Sequence, residues 1–378
     1  MKTVLVTGAN GFIGRNLITH LYMLEDVEVI RFNSKNTLED LFEMIKKVDF
    51  VFHLAGVNRP QDVSDFMQGN FGFTSILLEG LKNHHNKAPV LIASSIQATM
   101  DNPYGQSKRA AENLLFEYAK ETGSKVFVYR LPNVFGKWCK PNYNSAVATF
   151  CHNIANDQLI TVNDPNTIMN LVYIDDVVNE FISQLRGYEE VDNTCIQDLD
   201  KEYHSVRPVY TIKLGEIAVQ LNSFKASREN RSIPDMSNEL TKKLYSTYLS
   251  YLPTDRFSYP LKMNVDKRGS FTEFIKTLDR GQVSVNISKP GITKGNHWHH
   301  TKCEKFLVVS GKGIIRLRSI DSEKVLEYFV SSNKLEVVNI PVGYTHNIEN
   351  LGDADMVTIM WVNEPFNSDK PDTIFLEV

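Results

Sequence analysis

The sequence predicts an α/β half built on a doubly wound parallel sheet, followed by an all-β half closed as a barrel or jelly roll. Three observations carry this expectation. Apolar β-branched runs alternate with amphipathic segments through the first half; the alternation fades near residue 190; and beyond residue 243 short strand-like runs are joined only by turns.

In the first half, residues 3–6, 27–30, 50–54, 90–93 and 126–129 read as strands, and 14–24 as the first of the helices between them. Parallel strands need helical crossovers, which lay helices on both faces of the sheet. Residues 190–243 lose this period, apart from a helix at 214–225 and a charged stretch at 228–243. The domain boundary is placed near Lys243, giving domains 1–243 and 244–378. In the second half, strands are expected at 282–287, 305–309, 313–318, 335–340 and 356–362.

The bulk properties exclude several classes. A hydrophobic fraction of 42% with 23% charge is ordinary for a globular protein, and a formal charge of -4 offers no basic field for nucleic acid or anionic membrane. No apolar run approaches the roughly 20 residues of a membrane span. Cys139, Cys151, Cys195 and Cys303 lack framework spacing, and no signal peptide opens the chain. A soluble, cytoplasmic protein with free thiols is expected.

Two sites stand out. The first strand runs into Thr7-Gly8-Ala9-Asn10-Gly11-Phe12-Ile13-Gly14 and then a helix. Glycines 8, 11 and 14 permit a tight turn, close approach of a pyrophosphate and close helix–strand packing, while the helix N-terminus offers free N–H groups to the phosphates. Farther on, Tyr104 and Lys108 are four apart on one helix face behind Ser94-Ser95. An ammonium beside a phenol eases proton exchange, and Ser95 can hydrogen-bond the same carbonyl oxygen.

The spacing Gly-x-x-Gly-x-x-Gly with Tyr-x-x-x-Lys resembles the extended short-chain dehydrogenase/reductase family, a Rossmann-type fold. Arg130-Leu131-Pro132-Asn133 and Tyr173-Ile174-Asp175-Asp176-Val177 match its later signatures. The resemblance covers residues 1–230. It implies Ser95, Tyr104 and Lys108 as catalytic residues. It also implies a dinucleotide held by Gly8, Asn10, Gly11, Phe12, Ile13, Gly14, Leu54, Ala55, Gly56, Tyr104, Lys108 and Leu131. Only nine positions separate Ser95 from Tyr104, which is short for the family. Ile96-Gln97 stand where its sugar dehydratases carry an Asp-Glu pair, so oxidation or reduction is expected rather than loss of water. The second strand ends in Arg31-Phe32-Asn33-Ser34 without the acidic residue of NAD-specific members. Arg31, Asn33 and Ser34, with Lys35 near, are therefore expected to favour NADPH.

In the second half, Gly291-x5-His297-x-His299-x4-Glu304-x6-Gly311 precedes Pro341-x-Gly343-x2-His346-x3-Asn350. These resemble the two motifs of the cupin superfamily. Three imidazoles and a carboxylate suit a divalent metal, zinc first, with His297, His299, Glu304 and His346 as ligands. His300 and Cys303 are read as bystanders. The segment from Asp266 to Glu273 resembles that of the dTDP-4-keto-sugar 3,5-epimerases. That likeness implies substrate contacts from Arg268, Phe271, Glu273 and Lys294. With His297 committed to metal, Lys294, Glu273 and Tyr344 become the candidates for the proton-abstracting group.

The whole chain, including residues 135–143 and 245–253, resembles the bifunctional capsular-polysaccharide enzymes of the UDP-N-acetyl-L-fucosamine pathway. The resemblance implies a UDP-linked 4-keto-6-deoxy sugar as substrate, epimerisation at C3 by the cupin, reduction at C4 with NADPH, and a homodimer. Asn133, Lys137, Trp138 and Lys140 are expected to hold the nucleotide diphosphate and stack on uracil. Two other readings are a reductase with a purely structural cupin and a non-enzymatic NADPH-linked sensor.

Overall fold

The computed structural model describes residues 1–187, 196–198, 201–277, 279–369 and 371–378. Cys195 lies outside the described residues; Cys139, Cys151 and Cys303 are free thiols. The chain forms two compact units, Met1–Asn222 with Glu239–Pro253, and Ser223–Asn238 with Thr254–Val378. A single boundary at Lys243 does not describe this division, because Lys243 lies inside the helix Glu239–Leu249. That helix belongs to the first unit, where the Lys243 ammonium meets Asp176 at 2.7 Å and the Tyr210 hydroxyl at 2.9 Å. The upstream part of the same charged stretch pairs with the second unit: the Lys276 N–H donates to the Arg231 carbonyl at 2.8 Å, and Ile233 N–H to Lys276 at 3.1 Å.

Besides a three-stranded sheet of Tyr210–Lys213, Ile168–Tyr173 and Asn133–Phe135, the first unit holds a seven-stranded sheet. Its first five strands in chain order are β1 (Lys2–Thr7), β2 (Val27–Phe32), β3 (Phe50–His53), β4 (Val90–Ser95) and β5 (Val126–Leu131). Across the sheet the order is β2, β1, β3, β4, β5, then Lys201–His204 and Ile196–Asp198. All neighbours are parallel except the last pair. Successive residues supply opposite faces, as period two requires. Val4 and Val6 join a core with Leu17 and Phe181, whereas Leu5 joins one with Leu41, Leu77 and Leu115. Both faces are covered, as expected. The strand order reverses direction beside β1, and that crevice at the carboxyl ends of the strands is where such sheets take nucleotides.

The short connection from β4 to the next long helix, Pro103–Thr122, is closed by a 3₁₀ turn at Ile96–Thr99. Asn102 caps the helix by accepting the Gly105 N–H at 2.8 Å. A Cβ on Gly105 would stand 2.2 Å from the Gln97 carbonyl oxygen. Glycine there is what lets so short a loop bring the helix against β4.

In the second unit every pairing within its two sheets is antiparallel among the described residues. One sheet has six strands, in the order Asn264–Asp266, Gly269–Lys276, Gln282–Ser288, Met356–Val362, Glu304–Ser310 and Val337–Ile340. The other has five: Val325–Ser331, Lys312–Ser319, Tyr344–Asn350, Thr293–Trp298 and Ile374–Phe375. This is the two-sheet architecture expected of a cupin. The strand expected from residue 335 starts at Val337, with Leu335 exposed before it. Val325–Ser331 escaped the sequence reading because its exposed face breaks the apolar alternation. The interior is mixed. Phe306, Val308, Ile315 and Leu317 form an aliphatic core. Along Gln282–Ser288, by contrast, the buried alternate positions are the polar Gln282, Ser284, Asn286 and Ser288. No helix of the described residues is long and apolar enough to cross a membrane.

The Gly105 contact generates a prediction. Gly105→Ala should destabilise the protein by about 1–3 kcal/mol through forced displacement of the 97–100 backbone. A lowered urea midpoint by circular dichroism is the expected result, and an unchanged midpoint contradicts the packing argument.

Candidate active site and metal centre

The phosphate loop follows from sterics. Gly8 has φ +66°, and a Cβ there would meet the backbone of Leu54 and Ala55 at 2.7 Å. A Cβ on Gly14 would lie 2.3 Å from the Gly8 oxygen, so only glycine lets helix α1 (Phe12–Leu21) pack this closely on the turn. Gly11 occupies the N-cap without a side-chain cap, and no acidic residue enters the first turn. The N–H groups and positive end of the helix are left for an anion.

Beside this loop opens a cleft of about 570 Å³. It is lined by Asn10, Gly11, Phe12, Ile13 and Gly14, by Leu54 and Gly56, by Ser95, Tyr104 and Lys108, and by Leu131, Asn133, Trp138 and Lys140. Gly8 and Ala55 stand behind it as backbone support. Arg31, Asn33 and Ser34 lie outside the lining, at the end of β2. There the Arg31 guanidinium donates to Asn10 Oδ1 at 3.0 Å, and Asn33 Oδ1 accepts the Lys35 N–H at 3.0 Å. Lys137 is not brought into the cleft. Its ammonium is held by Asp175 at 2.5 Å, a partner 38 positions away. Trp138 takes φ +69° and presents its ring to the Arg15 guanidinium, 4.7 Å from the ring centroid.

Ser95, Tyr104 and Lys108, the residues expected to be catalytic, converge despite the short loop. Burial raises the Tyr104 phenol above its ordinary value, and a hydrogen bond with Ser95 opposes this only in part. Lys108 is buried beneath it, its ammonium 5.9 Å from the tyrosine ring and donating to the Ala93 carbonyl at 3.2 Å. Burial lowers Lys108 to about 8, with Glu112 acting in the opposite sense. Burial is thus the largest influence on the Tyr104 phenol and favours its protonated form.

Sequence reasoning missed the supports of this trio. A π-helical turn, Met67–Gly72, aims Asn70 inward. Its side chain accepts the Val57 N–H at 2.9 Å and donates to the Val57 carbonyl and to Ser107 Oγ at 3.0 Å. His53 is fully buried and its pKa is pushed down to about 3 by that burial, so it is neutral. Thr74 Oγ1 donates to the Asn70 carbonyl, so it must accept from His53 Nε2–H at 2.9 Å; His53 Nδ1 then accepts from Thr7 Oγ1–H at 2.9 Å. Thr7 Oγ1 in turn accepts the Leu54 and Ala55 N–H groups at 3.2 Å. One directed chain of hydrogen bonds thus ties the glycine turn to the catalytic helix. Glu112, fully buried, accepts from Ser94 Oγ at 2.5 Å and from Arg130 at 3.0 and 2.7 Å. Its i+8 spacing from Tyr104 was the available signal; its partners lie on other elements.

In the second unit, one ligand atom from each of His297, His299, Glu304 and His346 falls within 4.8 Å of the others. His297 and His346 face each other across paired strands, and a bulge after Gly295 turns His297 inward. His299 lies one residue past the end of Thr293–Trp298, yet it converges on the same point. His299 Nε2, Glu304 Oε2 and His346 Nε2 are buried without a hydrogen bond, although the last two approach to 3.0 Å. Burial raises Glu304, but the imidazoles of His299 and His346 more than offset this and hold it at about 2; burial first, then the other two imidazoles, lowers His297 to about 4. A carboxylate held ionised among three converging imidazoles, with orphaned inward atoms, fits a divalent cation. Among the described residues Cys303 is outside this cluster.

The remaining candidates belong to the same unit. Lys294 donates to Asn286 Oδ1 at 2.8 Å and to the carbonyls of Ile287 and Ser270 at 2.7 and 3.4 Å. Glu273 pairs with Arg231 at 2.8 Å and Lys276 at 2.9 Å. Arg268 is exposed and pairs with Asp266 at 2.6 Å. Phe271 is partly exposed opposite Asn286. Tyr344 lies two residues before His346 on one strand, hence on the same face.

Fold and cleft together define a nucleotide-binding α/β unit of the extended short-chain dehydrogenase/reductase type joined to a two-sheet β unit. The chain belongs to the NAD dependent epimerase/dehydratase family, which matches residues 4–195, and residues 264–374 match the polysaccharide biosynthesis C-terminal domain. It is 46% identical to a UDP-2-acetamido-2,6-beta-L-arabino-hexul-4-ose reductase of Pseudomonas aeruginosa over 98% of this chain and 97% of that protein. The crystal structure of the capsular polysaccharide assembling protein CapF from Staphylococcus aureus is similar at TM-score 0.92 and 55% identity, covering 99% of this chain and 100% of that one. A UDP-glucuronic acid 4-epimerase from Bacillus cereus shares the fold over 66% of this chain and 98% of that one, at TM-score 0.53 and 18% identity.

Glu112→Ala would remove the buried carboxylate that accepts hydrogen bonds from Ser94 and Arg130. A loss of about 3–5 kcal/mol is expected, read as a fall in the unfolding midpoint; a loss below about 1 kcal/mol would show the network to be dispensable.

Proposed function

We propose that this is a bifunctional nucleotide-sugar enzyme of capsular polysaccharide precursor synthesis. The second unit, a cupin, epimerises C3 of a UDP-4-keto-6-deoxy-N-acetylhexosamine. The first then reduces the C4 ketone with NADPH to give UDP-N-acetyl-6-deoxy-L-talosamine. The observation that carries the reading is the Ser95–Tyr104–Lys108 trio in a nucleotide cleft on the same chain as a buried His3Glu cluster. The full-length likeness to a UDP-keto-sugar reductase supports the substrate class.

NADPH, when bound, supplies the hydride. Tyr104 donates its proton to the C4 oxygen, a task for which a phenol kept protonated is suited, while Ser95 holds that oxygen. Lys108 restores the charge balance from below. Ile96 and Gln97 line the same cleft and carry no acid or base to remove water. Arg31, whose partner Asn10 is neutral, keeps its charge for a 2′-phosphate. Asn133, Trp138 and Lys140 hold the UDP moiety, Trp138 by stacking.

In the cupin, His297, His299, Glu304 and His346 would hold the divalent metal, zinc by its N/O preference, which supplies electrostatic stabilisation to a developing enolate. Glu273 and Lys294 are committed to charged or carbonyl partners, which assigns the C3 proton to Tyr344, beside His346. Lys294, Arg268 and Phe271 bind substrate. Because reduction destroys the ketone that acidifies C3, epimerisation must come first. A cytoplasmic homodimer completes the proposal.

Two measurements test it. In D2O without NADPH, the UDP-keto-sugar should take up deuterium at C3; with NADPH it should be reduced, and Tyr104→Phe should lose at least about a hundredfold in reduction while retaining exchange. Reduction without any exchange would leave a reductase with a structural cupin, and neither reaction would leave the sensor reading. The pH dependence follows from Lys108. A lysine lowered to about 8 is charged below that pH and neutral above it. Reductive kcat/KM should therefore be level near pH 7 and fall as pH rises through about 8; a profile level to about pH 9.5 contradicts this assignment.

A further inference from the structure

We infer that residues 371–378 form a clamp that sets the ligand geometry of the metal centre, so that metal binding and docking of this segment are linked. The inference rests on the metal-binding reading above.

The segment touches the surroundings of all three histidines. His299 Nδ1 lies in hydrogen-bond contact with the Asp372 carbonyl oxygen. A carbonyl can only accept, so Nδ1 carries the hydrogen, and in the neutral imidazole, the form that binds metal, Nε2 has the lone pair. Nε2 is one of the buried atoms without a hydrogen bond. The tautomer that a metal needs is thus imposed from outside the cluster, the ordinary duty of an outer-shell partner.

Asp372 is itself held against its preference. Its φ of +42° lies in the left-handed region. Its carboxylate accepts the N–H groups of His300, Thr301 and Lys302 at 3.0, 2.9 and 3.3 Å, and the Thr301 hydroxyl at 3.0 Å. The Lys302 ammonium donates to the Pro371 carbonyl. The turn after His299 and the residue that orients His299 therefore fix one another.

Farther along, Phe375 and Ile374 pair with His297 and Trp298, and the Leu376 N–H donates to the Asn296 carbonyl at 3.0 Å. The Thr345 hydroxyl, next to His346, donates to the Leu376 carbonyl. One short strand thus grips the backbone beside His297, His299 and His346. By linkage, whatever metal gains from a docked segment, the docked segment gains from metal.

The experiment is zinc affinity of the full chain by competition with a chromogenic chelator, together with amide hydrogen exchange with and without zinc. The native protein should take about one zinc. Asp372→Ala, and a chain stopped after Asp369, should bind about 10–100-fold more weakly. Asp372→Asn, which keeps an acceptor for the 300–302 amides, should fall between. In the native chain, zinc should slow exchange at residues 373–376 and leave β1 unchanged. Should the variants fold poorly, exchange in the native chain decides. Unaltered affinity in folded variants, or unaltered exchange at 373–376, overturns the clamp while the metal reading stands. A native chain that takes up neither zinc, manganese nor iron overturns the metal reading, and the clamp with it.

Discussion

A lysine with 7% of its surface exposed cannot keep its charge as it would in water. Most of the first unit's active region is an answer to that constraint. Lys108 reaches the Ala93 carbonyl at the end of β4, and Glu112 lies one turn farther along its own helix. On its other side Gly56 is needed, since a Cβ there would stand 3.0 Å from the ammonium and 2.9 Å from Asn70 Oδ1. The result is an amine that holds its proton loosely beneath a phenol that holds its own firmly. That ordering suits donation to a carbonyl oxygen followed by reprotonation from below.

What the chain discloses without coordinates is whatever one element carries alone. The glycine turn, the Tyr104–Lys108 pair and the histidine spacing each sit on a single strand, loop or helix. Period and sterics are enough to read them. The alternation of strands and helices likewise predicts the doubly wound sheet. Lys137 shows the limit: its composition suited a diphosphate, but Asp175 takes its charge from across the unit. The boundary failed for the same reason, because the charged stretch 228–243 supplies a bridge to Lys276 at one end and an ion pair to Asp176 at the other. Neither partner can be inferred from local pattern.

Asn70 and His53 belong to a third category. A π-helical turn adds a residue to a helix without any period that a sequence displays. A buried neutral histidine looks like any core histidine until its two hydroxyl partners are known. Together they make a polar core that specifies one arrangement of the glycine turn against the catalytic helix. Such a network is worth having only when every member is satisfied; here the direction of each bond follows from the Thr74 hydroxyl being spent on Asn70.

The second unit inverts that logic. Its interior carries Glu304, His299 and His346 with atoms that have no hydrogen-bond partner, and such atoms cost free energy when left alone. An aliphatic core of Phe306, Ile315 and Leu317 would be more stable if it simply continued through the space they occupy. The four side chains of the cluster are present despite that cost, and the row from Gln282 to Ser288 is likewise polar where its sheet is buried. A buried polar row and an unsatisfied cluster are what the proposed chemistry calls for, a sugar admitted and a developing negative charge held, and Lys294 is fixed on Asn286 within that row.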